Sequence, residues 1–189
     1  MASSKLAGKK AGEVRIIGGQ WKRTKLPVTD VAGLKPTPDR VRETLFNWLG
    51  QDLQGCRCLD VFAGTGALGF EAASRGAKEV VLLEKNRTAC QHLQKIQKQL
   101  KAGQVHILCT DGLQFLQDDQ GEKWDLIFLD PPFDLNLFET VLQMALNRIS
   151  ATGVIYLESD RLIELPSGLT CHRQGRAGAV HYTLLMKEK

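Results

Sequence analysis

Residues 59–70 read LDVFAGTGALGF, and this stretch limits the chain more than any other. A strand-like run, Cys58–Phe62, passes directly into Gly64-Thr65-Gly66-Ala67-Leu68-Gly69, and a helical pattern begins behind it. Gly64 and Gly66 let the backbone turn sharply and approach a ligand closely. The helix behind them presents free N–H groups at the same point. Glu84 closes the next strand, where a carboxylate can accept two hydrogen bonds from a ribose diol. Strand, glycine turn, helix and trailing acid together predict a nucleoside-type cofactor site on a βαβ unit.

The rest of the middle continues that alternation. Strand-length apolar runs occur at Val80–Glu84, Val105–Cys109, Asp125–Asp130 and Gly153–Leu157. Helical patterns fill the gaps at Ala67–Arg75, Arg87–Lys101, Gly112–Leu116 and Leu135–Arg148. Strands that alternate with helices imply parallel units, and continuous apolar runs imply a sheet covered on both faces. The expected fold is α/β, a doubly wound Rossmann-like sheet. It is mostly parallel, with an antiparallel C-terminal hairpin over Leu169–Lys187 around Gly175 and Gly178.

The N-terminal part is built differently. Val14–Ile17 and Trp21–Leu26 flank Gly18-Gly19, which predicts a small hairpin with its turn at the glycines. Thr37-Pro38-Asp39 reads as a helix start, with Thr37 as N-cap and Pro38 as first helical residue. Val41, Leu45, Trp48 and Leu49 then form an apolar stripe at helical spacing. The expected organisation is a basic tail over 1–12, a hairpin and helix over 13–50, and a cofactor-binding catalytic domain over 51–189. No apolar run approaches the ~20 residues of a membrane span. The start, MASSKLAGKK, lacks the apolar stretch of a secretory signal, so a cytoplasmic protein is expected. Five cysteines without CxxC spacing predict neither a disulfide framework nor a metal site.

Charge is unevenly spread. Residues 1–49 carry a net +6, residues 50–160 a net −5, and residues 161–189 a net +3. Basic ends on an acidic body point to a polyanionic partner, most simply nucleic acid. Arg15, Lys22, Arg23, Lys25, Lys35, Arg40 and Arg42 are the candidate contacts, with Arg173, Arg176 and His181 as weaker ones.

Two further motifs narrow the chemistry. NAD would need its pyrophosphate at the helix N-terminus. S-adenosylmethionine has no phosphate but carries a sulfonium and an ammonium that want a nearby anion. Asp60, just before the glycine loop, can supply one. Asp111 can accept from an adenine amine or simply cap a helix. The candidate cofactor-binding residues are Asp60, Phe62, Gly64, Thr65, Gly66, Gly69, Glu84, Lys85, Asp111 and Gly112. The fourth strand ends in Asp130-Pro131-Pro132-Phe133. Two prolines stiffen the loop and restrict the residue before them. The Asp130 carboxylate and the Pro131 carbonyl can each accept one N–H of a planar primary amine, and Phe133 can stack on the base that bears it. Such a base must be single-stranded or flipped out. First and fourth strands are neighbours at the switch point of a doubly wound sheet, so the two loops should face each other.

These residues resemble the amino-methylating Rossmann-like methyltransferases. Within that class, RIIGGQWKRTKL at 15–26 and LKPTPDRVRETLFNWL at 34–49 resemble the RsmD family, bacterial guanine-N2 methyltransferases of 16S rRNA. The resemblance covers most of residues 13–186. It implies S-adenosylmethionine as cofactor and 16S rRNA as partner, within an assembled or assembling small subunit. It implies that Asp130–Phe133 hold the guanine amine and ring, that Thr37–Arg42 help close the site, and that the hairpin touches RNA. The hairpin departs from the family's usual arginine-glycine-rich version. A DNA or RNA adenine-N6 methyltransferase shares the Asp-Pro-Pro-aromatic logic, although 189 residues leave no obvious room for a target-reading domain. A protein glutamine methyltransferase resembles Asn-Pro-Pro-Tyr instead. A non-catalytic RNA-binding module and an NAD-dependent oxidoreductase are the remoter alternatives.

Overall fold

The computed structural model describes residues 13–27, 37–118, 121, 123–132 and 138–188. The tail over 1–12, Lys35 and Phe133 lie outside the described residues.

The chain begins with a short antiparallel pair, β1 (Glu13–Arg15) and β2 (Lys25–Pro27), followed by α1 (Asp39–Trp48). Both strands are shorter than the apolar pattern suggests. Gly18-Gly19 does not make a two-residue hairpin turn. The chain instead loops between Ile16 and Thr24, whose N–H and C=O are bonded at 2.9 Å. A Cβ at Gly19 would collide with the carbonyl of Ser74, and one at Gly18 with the Arg75 guanidinium. The two glycines therefore permit close approach to a helix rather than a tight turn.

That helix belongs to the main sheet. Its elements are β3 (Arg57–Asp60), α2 (Ala67–Ser74), β4 (Glu79–Leu83), α3 (Arg87–Leu100), β5 (Val105–Leu108), α4 (Gly112–Gln117), β6 (Trp124–Leu129), α5 (Phe138–Arg148), β7 (Ile149–Ser159), β8 (Leu169–Ala177) and β9 (Val180–Lys187). The strand order is β5-β4-β3-β6-β7-β9-β8. The first five in that order are parallel, and β9 runs antiparallel to both β7 and β8. The mostly parallel sheet and its C-terminal hairpin are those read from the sequence. β3 and β6 are indeed neighbours, which sets the glycine loop beside the end of β6.

Alternate residues of each strand feed one of two cores. On one face Phe46, Phe70, Leu93, Phe128, Tyr156 and Leu184 pack together, joined by Val14, Ile16 and Leu26 of the N-terminal pair. On the other face Leu59, Ile127, Leu142, Ile155 and Leu185 pack under α4 and α5.

The N-terminal segment is tied to the first face by one buried acid. Glu71, on α2 and fully buried, accepts from the backbone N–H groups of Ile17 at 2.8 Å and Gly18 at 2.7 Å. It also pairs with Arg42 at 3.3 Å and with Arg75 at 2.9 Å. Ser74 adds a hydroxyl that accepts from Trp21 N–H and donates to the Gly18 carbonyl. Two buried guanidiniums and two amide donors around one carboxylate form a network in which every member is needed.

Two sequence expectations change here. Charge alone puts Arg42 at an RNA surface, but its side chain is entirely buried. It donates to Glu71, Asp39, the Thr37 carbonyl and the Arg15 carbonyl. Local pattern makes Thr37 the cap of α1, but the cap position is Pro38, with no side-chain bond. The Thr37 hydroxyl instead donates to Glu158, a residue far along the chain, at 2.8 Å. In both cases a tertiary partner overrides what the neighbouring sequence suggests.

Candidate active site

The glycine loop forms because β3 ends at Asp60 and two glycines take left-handed conformations. Gly64 has φ +51° and Gly66 φ +76°, and Gly66 caps α2. Side chains are excluded at three neighbouring positions for different reasons. At Gly66 a Cβ would press on Leu93 and Phe70 at 2.7 Å. At Gly69 it would run into Leu82, and at Gly112 into the Val61 carbonyl. Gly69 thus lets α2 sit close on the sheet, and Gly112 lets α4 abut the loop.

Glu84, the residue just after β4, braces the loop. One of its oxygens accepts from Gly64 N–H at 2.9 Å and the other from Asn86 N–H at 2.7 Å. Each carboxylate oxygen keeps a further lone pair for a hydroxyl donor. Asp111 caps α4 through Oδ1 alone, accepting from Leu113 at 2.9 Å and Gln114 at 3.3 Å. Phe62 is half-buried, Thr65 buried and Lys85 exposed on the rim of the same loops.

Strand register brings the remaining acids to this point. Asp60 lies level with Phe128, and Phe128 with Tyr156. Two residues further on, Asp130 follows β6 and Glu158 ends the matching stretch of β7. Period-two alternation then aims Asp60, Asp130 and Glu158 at the same face of the sheet. Their mutual influence agrees. Burial raises Asp60 to about 7, backbone N–H groups of Gly69 and Phe62 pull it down, and the charges of Glu84 and Glu158 push it up. Burial also raises Asp130 well above the ordinary carboxylate range, with Glu158 and Asp60 adding to the rise. Pro131 is buried and Pro132 exposed, so the loop leaves the sheet directly after the carboxylate.

Asp60 Oδ1 is buried and meets no hydrogen-bond partner among the described residues. An orphaned carboxylate oxygen among three other acids suits a cation, and it opposes a pyrophosphate. The sulfonium and ammonium of S-adenosylmethionine fit this pocket, and the phosphates of NAD do not. Among the described residues no group of three His, Cys, Asp or Glu side chains is disposed to hold a metal ion. No helix among them is long and apolar enough to cross a membrane.

Residues 14–186 match the family described as Conserved hypothetical protein 95. The chain is 42% identical to Ribosomal RNA small subunit methyltransferase D of Escherichia coli strain K12, over 94% of this chain and 92% of that protein. The chain belongs to this family, the RsmD family. The Haemophilus influenzae member of the same name is also 42% identical, over 92% of this chain and 93% of that one. Among solved structures, yhhF from Escherichia coli superposes with a TM-score of 0.85 at 40% identity, covering 94% of this chain and 99% of that one. As an RsmD-family member the chain has the Rossmann-like methyltransferase fold that its strand order describes.

Lys22, Arg23 and Arg40 are exposed. Arg15 is exposed but pairs with Asp39 at 3.3 Å, and Lys25 pairs with Glu13 at 2.8 Å. Arg173 and Arg176 are exposed on β8, and His181 is half-buried on β9. Sequence reasoning missed Glu158 and Tyr156. Glu158 is buried and its Oε1 accepts from both Thr37 and the Tyr156 hydroxyl, the latter at 2.9 Å. The signal that singles out Glu84, an acid ending an apolar strand, stands equally in YLES at 156–159.

Proposed function

We infer that this protein is an S-adenosylmethionine-dependent rRNA methyltransferase whose target is the exocyclic N2 amine of a guanine in 16S rRNA. The observation that supports it most is the facing pair of loops: the glycine turn after β3 and Asp130-Pro131-Pro132 after β6, on adjacent parallel strands. When bound, S-adenosylmethionine supplies an electrophilic methyl group on a sulfonium.

The chain's own residues do the rest by placement. Asp60 holds the cationic end of the cofactor, with Gly64, Gly66 and Gly69 giving the backbone room to approach. Phe62, Thr65 and Lys85 line the same rim. Glu84 receives the ribose hydroxyls and Asp111, with Gly112 behind it, the adenine amine. Asp130 accepts one N–H of the guanine amine and the Pro131 carbonyl the other, with Pro132 fixing the turn. Both bonds draw density onto nitrogen and turn its lone pair out of conjugation with the ring. Orientation of two reactants supplies a large part of such an acceleration. Phe133, outside the described residues, is proposed to stack on the base.

Residues 13–50 are proposed as the RNA-facing part and 51–189 as the catalytic part. Arg15, Lys22, Arg23, Lys25 and Arg40 would meet phosphates, and Lys35, outside the described residues, remains with them. The substrate form is proposed to be rRNA in an assembled or assembling small subunit, in the cytoplasm. An adenine-N6 activity is the competing outcome.

Methyl-labelled cofactor with small-subunit particles from cells lacking the protein, followed by nucleoside analysis, tests this. N2-methylguanosine is expected; N6-methyladenosine would replace the substrate assignment. Asp130→Ala should lower transfer at least ~10³-fold while keeping cofactor affinity within a few-fold. A fully active variant overturns the amine-holding role.

A further inference from the structure

Glu158 is a buried acid that the reading above leaves without a task. It stands on β7 level with Asp130, the residue just after the adjacent strand β6, because Leu129 pairs with Leu157 one residue earlier. Neighbouring strands lie about 4.8 Å apart, so two side chains at one level on one face are in direct range. Two hydroxyls pin it. Thr37 reaches it from the segment before α1 at 2.8 Å, and Tyr156 from below on the same strand at 2.9 Å. Tyr156 is itself locked edge-on to Phe128, which sits two residues before Asp130, with ring centroids 6.3 Å apart.

A buried acid placed beside another acid destabilises both ions, so such an arrangement needs a reason outside stability. Burial raises Glu158 above the ordinary carboxylate range, while the hydrogen bonds from Thr37 and Tyr156 pull it back toward the charged form and keep the carboxylate in place.

We propose that Glu158 is a positioning residue for methyl transfer: fixed by Thr37 and Tyr156, it acts through Asp130 and sets the orientation and charge of the carboxylate that holds the guanine amine. This rests on the amine-holding role of Asp130. It also gives Thr37 a function, since the hydroxyl connects the segment before α1 to the reacting end of the sheet.

The groups facing Glu158 are Asp130 just after β6, Asp60 on β3, Tyr182 opposite on β9, and the two hydroxyls. The negative charge of Glu158 raises Asp130 and Asp60. Its removal should therefore let Asp130 ionise at lower pH.

The experiment is the pH profile of kcat for transfer to small-subunit particles, at saturating S-adenosylmethionine, where the limb reports the bound complex. Glu158→Gln keeps the size and the acceptor oxygen. It should move the acidic limb to lower pH and reduce kcat several-fold, with cofactor affinity within about two-fold. An unmoved limb overturns the proposal. If Glu158→Gln fails to bind cofactor, Thr37→Val decides. It should cut kcat roughly three-fold or more with cofactor affinity kept, and an unchanged kcat overturns the proposal. Asp130→Ala run alongside separates the two readings. An active Asp130→Ala removes the amine-holding role itself, whereas an inactive one with an unmoved Glu158→Gln limb removes only the role of Glu158.

Discussion

Asp60 and Glu71 are both buried acids on the same face of one sheet, and they are treated in opposite ways. Glu71 is surrounded by two amide donors and two guanidiniums. Asp60 keeps an oxygen that meets no partner among the described residues, and it sits among Glu84, Asp130 and Glu158. A carboxylate placed for structure is fully satisfied by its own chain. On the proposed cofactor-holding role of Asp60, one placed for a ligand is left incomplete, and the fold carries the cost until the ligand arrives.

The largest effect should come from the satisfied acid. Glu71→Ala leaves Arg42 and Arg75 buried without their counter-charge and frees the Ile17 and Gly18 amides. Breaking such a network by removing one partner costs about 3–5 kcal/mol. Chemical denaturation should show that loss. Protection of the Ile16–Thr24 loop against hydrogen exchange should fall with it. A loss under about 1 kcal/mol would mean that the N-terminal segment is held by its apolar packing alone, and the contrast with Asp60 would fail.

The incomplete acid should behave in reverse. Its folded value, about 7, lies above the ordinary 3.8. The folded protein then holds a proton that the unfolded chain has released, across the window between those values. Its contribution to stability is full below about 4 and is lost as pH rises through 7. Asp60→Asn removes that penalty. The melting temperature of the cofactor-free protein should rise by several degrees at about pH 8 and by less at about pH 5. Affinity for S-adenosylmethionine should fall about 100-fold, the loss of one charge-assisted hydrogen bond in a buried site. A variant that is less stable than the parent on the alkaline side would place Asp60 with Glu71 among the structural acids.

How far the sequence reaches follows the same division. The glycine loop, Glu84 and Asp130-Pro131-Pro132 are legible because each depends on residues adjacent in the chain or one βαβ unit apart. The adjacency of β3 and β6 is legible because connection rules leave few alternatives. Thr37 and Arg42 escape a sequence reading because their partners, Glu158 and Glu71, lie on distant strands and helices, and no spacing rule connects them. The Gly18-Gly19 turn misleads because glycine serves a turn and a close approach equally well, and only the nearness of α2 decides between them.

Cofactor binding offers a finer test of the incomplete acid. If Asp60 holds the cofactor's positive charge as proposed, the bound form needs it ionised, so binding should expel a proton wherever free Asp60 is protonated. Affinity should be flat above about pH 8 and weaken by up to about tenfold per unit as pH falls below about 7. Calorimetry in two buffers of different ionisation enthalpy should find close to one proton released at about pH 6 and few at about pH 8.5. Equal release at both values would show that Asp60 is already charged before the ligand arrives.

The smallest effect belongs at the rim, where charges are solvated and the contrast between satisfied and waiting groups should fade. Lys22 and Arg23 are exposed, while Lys25 is matched by Glu13 and Arg15 by Asp39. Exposed pairs of this kind contribute little to stability. Neutralising Lys22 and Arg23 together should therefore leave folding unchanged and weaken RNA binding. Every phosphate that the protein no longer neutralises lowers the slope of log affinity against log salt by about 0.7–0.9. The double variant should flatten that slope by between about one and two, with kcat at low salt intact. Neutralising Arg15 should do less, because Asp39 already competes with phosphate for it. If Arg15 proved the stronger anchor, the ion pair with Asp39 would have to open on RNA binding, and this surface too would hold a group kept in waiting for its ligand.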